Sequence, residues 1–156
     1  MARLKVKKPP VITIVGPTAS GKTAVSLLLA GRHDSEIISA DSRQIYRYLD
    51  IGTAKPTQSE LEGCKHHFID TLLPSEQYSA GKFAQESLEV LLDIVQRNKL
   101  PIIVGGSGLY IRALCEGIFR EGDQNTTKIR AELDERLATE GKELLYKELH
   151  SIDPES

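Results

Sequence analysis

The chain has 156 residues, of which 40% are hydrophobic and 27% charged, and its net charge is −2. That length suits one domain with room for the start of a second, and that composition excludes a disordered chain, a coiled coil and a collagen-like fibre. The near-neutral balance excludes a broadly basic nucleic-acid surface, and no apolar run nears the roughly 20 residues of a membrane helix.

Taken in chain order, Val11–Val15 (VITIV) is short, apolar and β-branched, and predicts a buried strand. A helix is expected from Gly21–Lys22 to about Arg32, with Val25, Leu28 and Leu29 on one apolar face. Glu36–Ala40 predicts a second strand, with Asp41 at its carboxyl end. Residues 50–56 form a Gly/Thr/Pro loop, and His66–Asp70 is a candidate third strand. Residues 79–98 predict a long amphipathic helix with Phe83, Leu88, Leu91, Leu92 and Val95 facing the core. Pro101–Val104 is a fourth strand, followed by Gly105-Gly106-Ser107-Gly108 and a helix through Leu114. From Thr127 the pattern is helical only, over 127–139 and 142–151, with Gly141 as the break.

Alternating strands and helices mean parallel pairing through right-handed crossovers. The expected fold class is α/β: a P-loop NTPase-like parallel sheet with helices on both faces, plus the start of a helical insertion domain. Charge also changes along the chain. Residues 1–121 balance to +2 and residues 122–156 to −4, which places the domain boundary near Gly122. Cys64 and Cys115 lie far apart with no CxxC pair, as suits reduced cytosolic thiols. Met1–Lys8 is basic but has no apolar stretch or cleavage pattern behind it, so a cytoplasmic chain without a signal peptide is expected. No obligate protein partner is evident.

The strongest motif is Gly16-Pro17-Thr18-Ala19-Ser20-Gly21-Lys22-Thr23, a full GxxxxGK[ST] match between a predicted strand and a predicted helix. Glycines let the backbone wrap an anion, and the helix N-terminus adds about half a positive charge there. Lys22 supplies a mobile full charge, and the Thr23 hydroxyl can ligate Mg²⁺. An oligophosphate ligand follows, either a nucleotide or another diphosphate. The acidic residue an ATPase needs after a buried strand is missing after Val104, and Asn98-Lys99-Leu100-Pro101 fails as a GTPase base-recognition motif.

Ligands of open parallel sheets bind beyond the carboxyl ends of the strands, so the phosphate loop, Asp41 and Ser107 converge on one crevice. Asp41 can take a proton or cap the next turn. Ser42, Arg43 and Gln44 bring donors and acceptors suited to a base edge or a phosphate. Ser107 offers a hydroxyl near a ligand or caps the helix after it. Adjacent His66 and His67 face opposite sides of a strand and suit structural roles better than one metal. Asp70 also suits a structural role. Lys128 and Arg130, among Glu132, Asp134 and Glu135, suit a solvated helix face.

Several stretches together resemble the tRNA dimethylallyltransferases, also called tRNA isopentenyltransferases. They are GPTASGKT (16–23), SADSRQIY (39–46), DIGTAKP (50–56), HHFID (66–70), YSAGKF (78–83) and PIIVGGSGLYIRAL (101–114). They run in the family's order through residues 11–121, and 128–154 resembles the beginning of its insertion domain. The resemblance implies transfer of a dimethylallyl group from dimethylallyl diphosphate to the exocyclic N6 amine of an adenosine beside the tRNA anticodon. It implies that residues 18–23 contact the diphosphate, with Thr23 near Mg²⁺. It further implies that Asp41 is the general base and that residues 41–44 touch a flipped-out adenosine. Ser107 would then bond near the scissile oxygen, and Arg130 would reach the tRNA.

Serine stands at 107 where the family usually has threonine, which keeps the hydroxyl and drops a methyl. The family's chains run to about twice this length, so this chain is expected to be an N-terminal portion, and its activity an open matter. A P-loop small-molecule kinase and an inactive phosphate-binding fragment are the alternatives.

Overall fold

The computed structural model describes residues 10–117 and 125–154. The chain divides into two compact units, Met1–Ile118 and Phe119–Ser156; the boundary expected near Gly122 lies outside the described residues.

The first unit is built on a four-stranded, all-parallel sheet in the order β1-β4-β2-β3. The strands are β1 (Ile12–Val15), β2 (Ser35–Ser39), β3 (His66–His67) and β4 (Leu100–Gly105). The helices are α1 (Lys22–Ala30), α2 (Gln58–Gly63), α3 (Ala80–Gln96) and α4 (Gly108–Glu116). Side chains alternate across a strand, so the paired neighbours Ile37↔Ile102 and Ile38↔Ile103 serve opposite faces. Ile38 and Ile103 join Phe83 and Ile94 of α3 and Tyr110 of α4 in the main core. Ile37 and Ile102 are as deeply buried on the other face, and α1 packs against β2 and β4. Both faces are therefore covered, which is why the central strands read as continuous apolar runs.

Aromatic rings pin α3 and α4 to the loop after β3. Phe83 stacks on Tyr110 at 4.6 Å between centroids and meets Phe68 edge-on at 5.3 Å. Such pairs add about 1 kcal/mol each beyond burial.

Five expectations need correction. The strand expected to be buried over Val11–Val15 lies at the edge of the sheet, where none of Ile12–Val15 is buried and Val15 is 59% exposed. The third strand ends at His67 instead of reaching Asp70, because Phe68 and Asp70 adopt left-handed backbone angles (φ 62° and 53°) that no strand contains. That turn drops Phe68 into the core. On α1 the buried residue is Ser26, while Val25 and Leu28 are 47% and 55% exposed. At roughly 100° per residue Leu28 lies nearly opposite Ser26, so of the three expected apolar residues only Leu29 turns inward. On α3 the buried stripe runs Phe83, Ser87, Ile94, with Leu91 and Val95 partly covered. Leu88 and Leu92 fall one residue past that stripe and are about half exposed. Finally, α2 was not expected. Its signal is local: Thr57 caps the helix and Glu60 returns the bond in a capping box.

The second unit contains α5 (Asn125–Glu140) and α6 (Lys142–Ile152), separated by Gly141 at φ 84°. Arg136 ties the two together, bonding Glu140 at 2.9 Å and Glu148 at 2.6 Å.

Candidate active site

Glycine brings the strand ends together. A Cβ on Gly105 would stand 2.0 Å from the Ala40 carbonyl oxygen, so no side chain fits where β4 passes the end of β2. The register aligns Val15 with Gly105 and Ser39 with Val104. The loops after β1, β2 and β4 therefore leave the sheet at one level. They open a cavity of about 700 Å³, lined by residues 17–23, 41–44, 52–54, Pro56 and 104–107.

Residues 17–23, the candidate phosphate loop, form the first wall. Ala19 and Gly21 are left-handed, at φ 63° and 82°, the turns by which a chain curls its amides around an anion. Gly21 precedes α1 and offers no side-chain cap, so the first helical N–H groups stay available to a ligand. Lys22 Nζ donates to the Pro17 carbonyl at 2.6 Å, holding the ammonium over the loop. Thr23 lines the cavity at the start of α1.

The second wall is the turn after β2. Asp41 Oδ1 accepts from the Arg43 N–H at 2.9 Å and the Gln44 N–H at 3.3 Å. Asp41 thus caps its own turn and also lines the cavity. Among the described residues no protein donor meets its other oxygen, Oδ2. The Ser42 N–H donates to Ser107 Oγ at 2.9 Å, and the Ser107 N–H donates to the Ala40 carbonyl at 3.2 Å. Ser107 stands at the N-cap position of α4 but makes no side-chain cap bond. Its hydroxyl accepts from Ser42, so its own proton is left to donate elsewhere.

Gln44 is placed differently from a free base-reading amide. Its Nε2 donates to the Thr53 and Ala54 carbonyls at 3.1 and 3.0 Å, and its Oε1 accepts from Ser39 Oγ at 3.0 Å. Both amide hydrogens are used, and only acceptor capacity on Oε1 remains. Ser42 and Arg43 line the cavity beside it. Arg130 is exposed on α5, in the second unit.

Residues 52–54 and Pro56, together with His66 and Ile69, line the cavity but had no site role in the sequence reading. The signal was present in DIGTAKP, whose Gly, Thr and Pro mark a shaped loop. The two histidines have different partners: His66 Nδ1 is 2.7 Å from the Cys64 carbonyl and His67 Nε2 is 2.8 Å from Glu36. Burial pushes the His66 imidazole below the usual histidine range. Asp70 pairs with Lys55 at 2.6 Å, a structural role. No group of three or more His, Cys, Asp or Glu able to hold a metal occurs among the described residues. No helix among them is long and apolar enough to cross a membrane.

Comparison with known proteins gives this cavity relatives. The family model for IPP transferase matches residues 44–156. A tRNA dimethylallyltransferase of Chlorobaculum parvum is 48% identical over 96% of this chain and 48% of its own length. A second, from Syntrophotalea carbinolica, is 47% identical over 95% of this chain and 47% of its own. The chain thus spans about half the length of the curated relatives it matches. The crystal structure of a Bacillus halodurans tRNA isopentenylpyrophosphate transferase superposes with a TM-score of 0.69 at 42% identity, covering 95% of this chain and 49% of that one. A eukaryotic dimethylallyltransferase acting on tRNA superposes at 0.75 and 32% identity, over 94% and 36%. With its parallel sheet and a family-model match over more than two thirds of its residues, the chain belongs to the IPP transferase family.

Proposed function

We propose that this chain carries the donor and acceptor sites of a tRNA dimethylallyltransferase. It moves a dimethylallyl group from dimethylallyl diphosphate to the N6 amine of an adenosine beside the tRNA anticodon. The observation that carries the reading is Asp41, which lines one cavity with residues 17–23 and Ser107 and keeps one carboxylate oxygen without a protein donor among the described residues.

The chemistry follows from that arrangement. The phosphate loop and Lys22 hold the diphosphate and balance its charge as it leaves. The N6 nitrogen bonds to the allylic carbon while the carbon–oxygen bond breaks. An adenine amine is a weak nucleophile because its lone pair is shared with the ring. Asp41 Oδ2 accepts its proton as the new bond forms. The Ser107 hydroxyl donates toward the oxygen that departs. An adenosine in an anticodon arm reaches Asp41 only once it has left the stack, and Ser42 and Arg43 flank its entry. Arg130, in the second unit, is assigned to the tRNA.

Mg²⁺ fits this donor set, because it keeps waters and substrate phosphates and needs few protein oxygens. Thr23, a hydroxyl at the end of the phosphate loop, is the residue to hold it. When bound it neutralises diphosphate charge. The setting is the cytoplasm, with the tRNA.

The test is calorimetric titration with dimethylallyl diphosphate and, separately, ATP, each with Mg²⁺, followed by transfer to an anticodon stem-loop. Preference for the prenyl diphosphate and prenylated RNA support the reading. Preference for ATP moves the loop to a kinase.

A further inference from the structure

Lys55 stands between two residues that line the cavity, yet its own side chain is buried, with 8% exposed. Its ammonium donates to Asp50 Oδ1 at 2.8 Å, Asp70 Oδ1 at 2.6 Å and the Tyr46 carbonyl at 2.8 Å. All three donors are therefore used. Burial alone would lower its pKa, but the two carboxylates outweigh it and keep the ammonium charged.

The bonds join three segments. Asp70 is held from the other side as well: its N–H donates to the Gln44 carbonyl at 3.0 Å, and Arg47 Nε donates to its carbonyl at 2.9 Å. The loop clamped by Lys55 presents the Thr53 and Ala54 carbonyls that occupy both amide hydrogens of Gln44. Gln44 in turn gives its N–H to Asp41. A continuous chain of contacts thus runs from Lys55 to the candidate base.

We propose that Lys55 is a positioning residue that fixes the cavity wall formed by residues 41–44 and 52–54, and through Gln44 sets the turn that aims Asp41 at the acceptor. That the wall faces the adenosine follows from the transferase reading, on which this assignment rests. A lysine that merely stabilised the fold would loosen the whole unit. One that positions this wall loosens residues 41–56 and spares the phosphate loop.

The experiment compares the full chain with its Lys55→Met variant by amide hydrogen exchange, donor binding and RNA kinetics. Exchange over 41–44 and 50–56 is expected to quicken about tenfold or more, while that of 17–22 stays within about twofold. The Kd for dimethylallyl diphosphate should hold within about threefold, while KM for an anticodon stem-loop rises about tenfold with a smaller change in kcat. Unchanged exchange over 41–44, equal quickening throughout the unit, or equal loss of donor and RNA binding would overturn the assignment. If Lys55→Met does not fold, Asp70→Asn, which keeps the lysine and removes one partner's charge, must show the same local pattern more weakly. A wild-type chain that binds neither donor nor RNA would refute the transferase reading, and the exchange pattern alone would then decide the clamp.

Discussion

The two ends of β2 each carry a carboxylate, and they live in opposite conditions. At the amino end, Glu36 is buried and surrounded by cations. Both nitrogens of the Arg97 fork bond it, His67 Nε2 lies at 2.8 Å, and Lys99 and Lys65 stand at 3.6 and 3.7 Å. The Arg97 hydrogen bonds hold its carboxyl well below the usual range, against the opposing effect of burial, and His67 and Lys65 add to the lowering. At the carboxyl end, Asp41 lines the cavity, uses one oxygen to cap its turn and has no protein donor at the other among the described residues. An acid with both oxygens bonded to basic side chains holds elements together. An acid with one oxygen free can take a proton.

Substitutions sharpen this contrast. The largest effect is expected at the open end. Asp41→Asn keeps the capping oxygen and loses the base proposed above, so RNA prenylation in single-turnover assays should fall about 10²–10⁴-fold. Its thermal midpoint should barely move. At the closed end Glu36→Gln should do the reverse, with stability lowered by about 2 kcal/mol in urea titrations and donor binding unchanged. That figure lies below the usual cost of breaking a buried pair because Arg97 is 36% exposed.

The pH dependence carries the same signature. A carboxyl whose folded pKa lies below its ordinary value of 4.5 contributes its full stabilisation above that value. It loses it as pH falls toward the folded pKa. Wild-type stability should therefore decline below about pH 4.5, and Glu36→Gln should show a shallower decline. His66 adds in the same direction from a higher starting point. Its folded pKa is lowered from 6.5, so acid below that value favours the unfolded chain.

Smaller effects test the joint between strands. Ser107→Ala leaves the Ser42 N–H without its acceptor, and should cost about 1 kcal/mol of stability together with a drop in kcat. Ser107→Thr should restore both. Smallest is Ser87→Ala on α3. The Ser87 hydroxyl is buried without a hydrogen-bond partner among the described residues, so its removal should raise the urea midpoint by the equivalent of about 0.5–1 kcal/mol. A loss of stability there would mean that the packing of the hydroxyl outweighs its desolvation.

The parts legible in the sequence were those that depend on near neighbours. The phosphate loop needs glycines, a lysine and a helix start within eight residues. The alternation of apolar strands with amphipathic helices is likewise a short-range pattern, and it led correctly to a parallel sheet covered on both faces. Errors arose where burial depended on what lies across the fold. Leu28 and Leu92 satisfy helical periodicity, yet the sheet meets only one stripe of each helix, and those stripes are centred on Ser26 and Ser87. The third strand was overextended because the core contact that turns Phe68 inward is made with α3, fifteen residues further along.

Sequence alone thus determined the glycine turn before α1, the strand-end position of Asp41 and the fold class, because backbone conformation and local charge are set within a few residues. Tertiary structure decided the rest. It tied Ser42 to Ser107 across 65 positions, consumed the Gln44 amide and buried Lys55 between two acids. Each of those outcomes requires two distant segments to meet, and a hydrogen bond between them exists only once the sheet has brought their ends to one level.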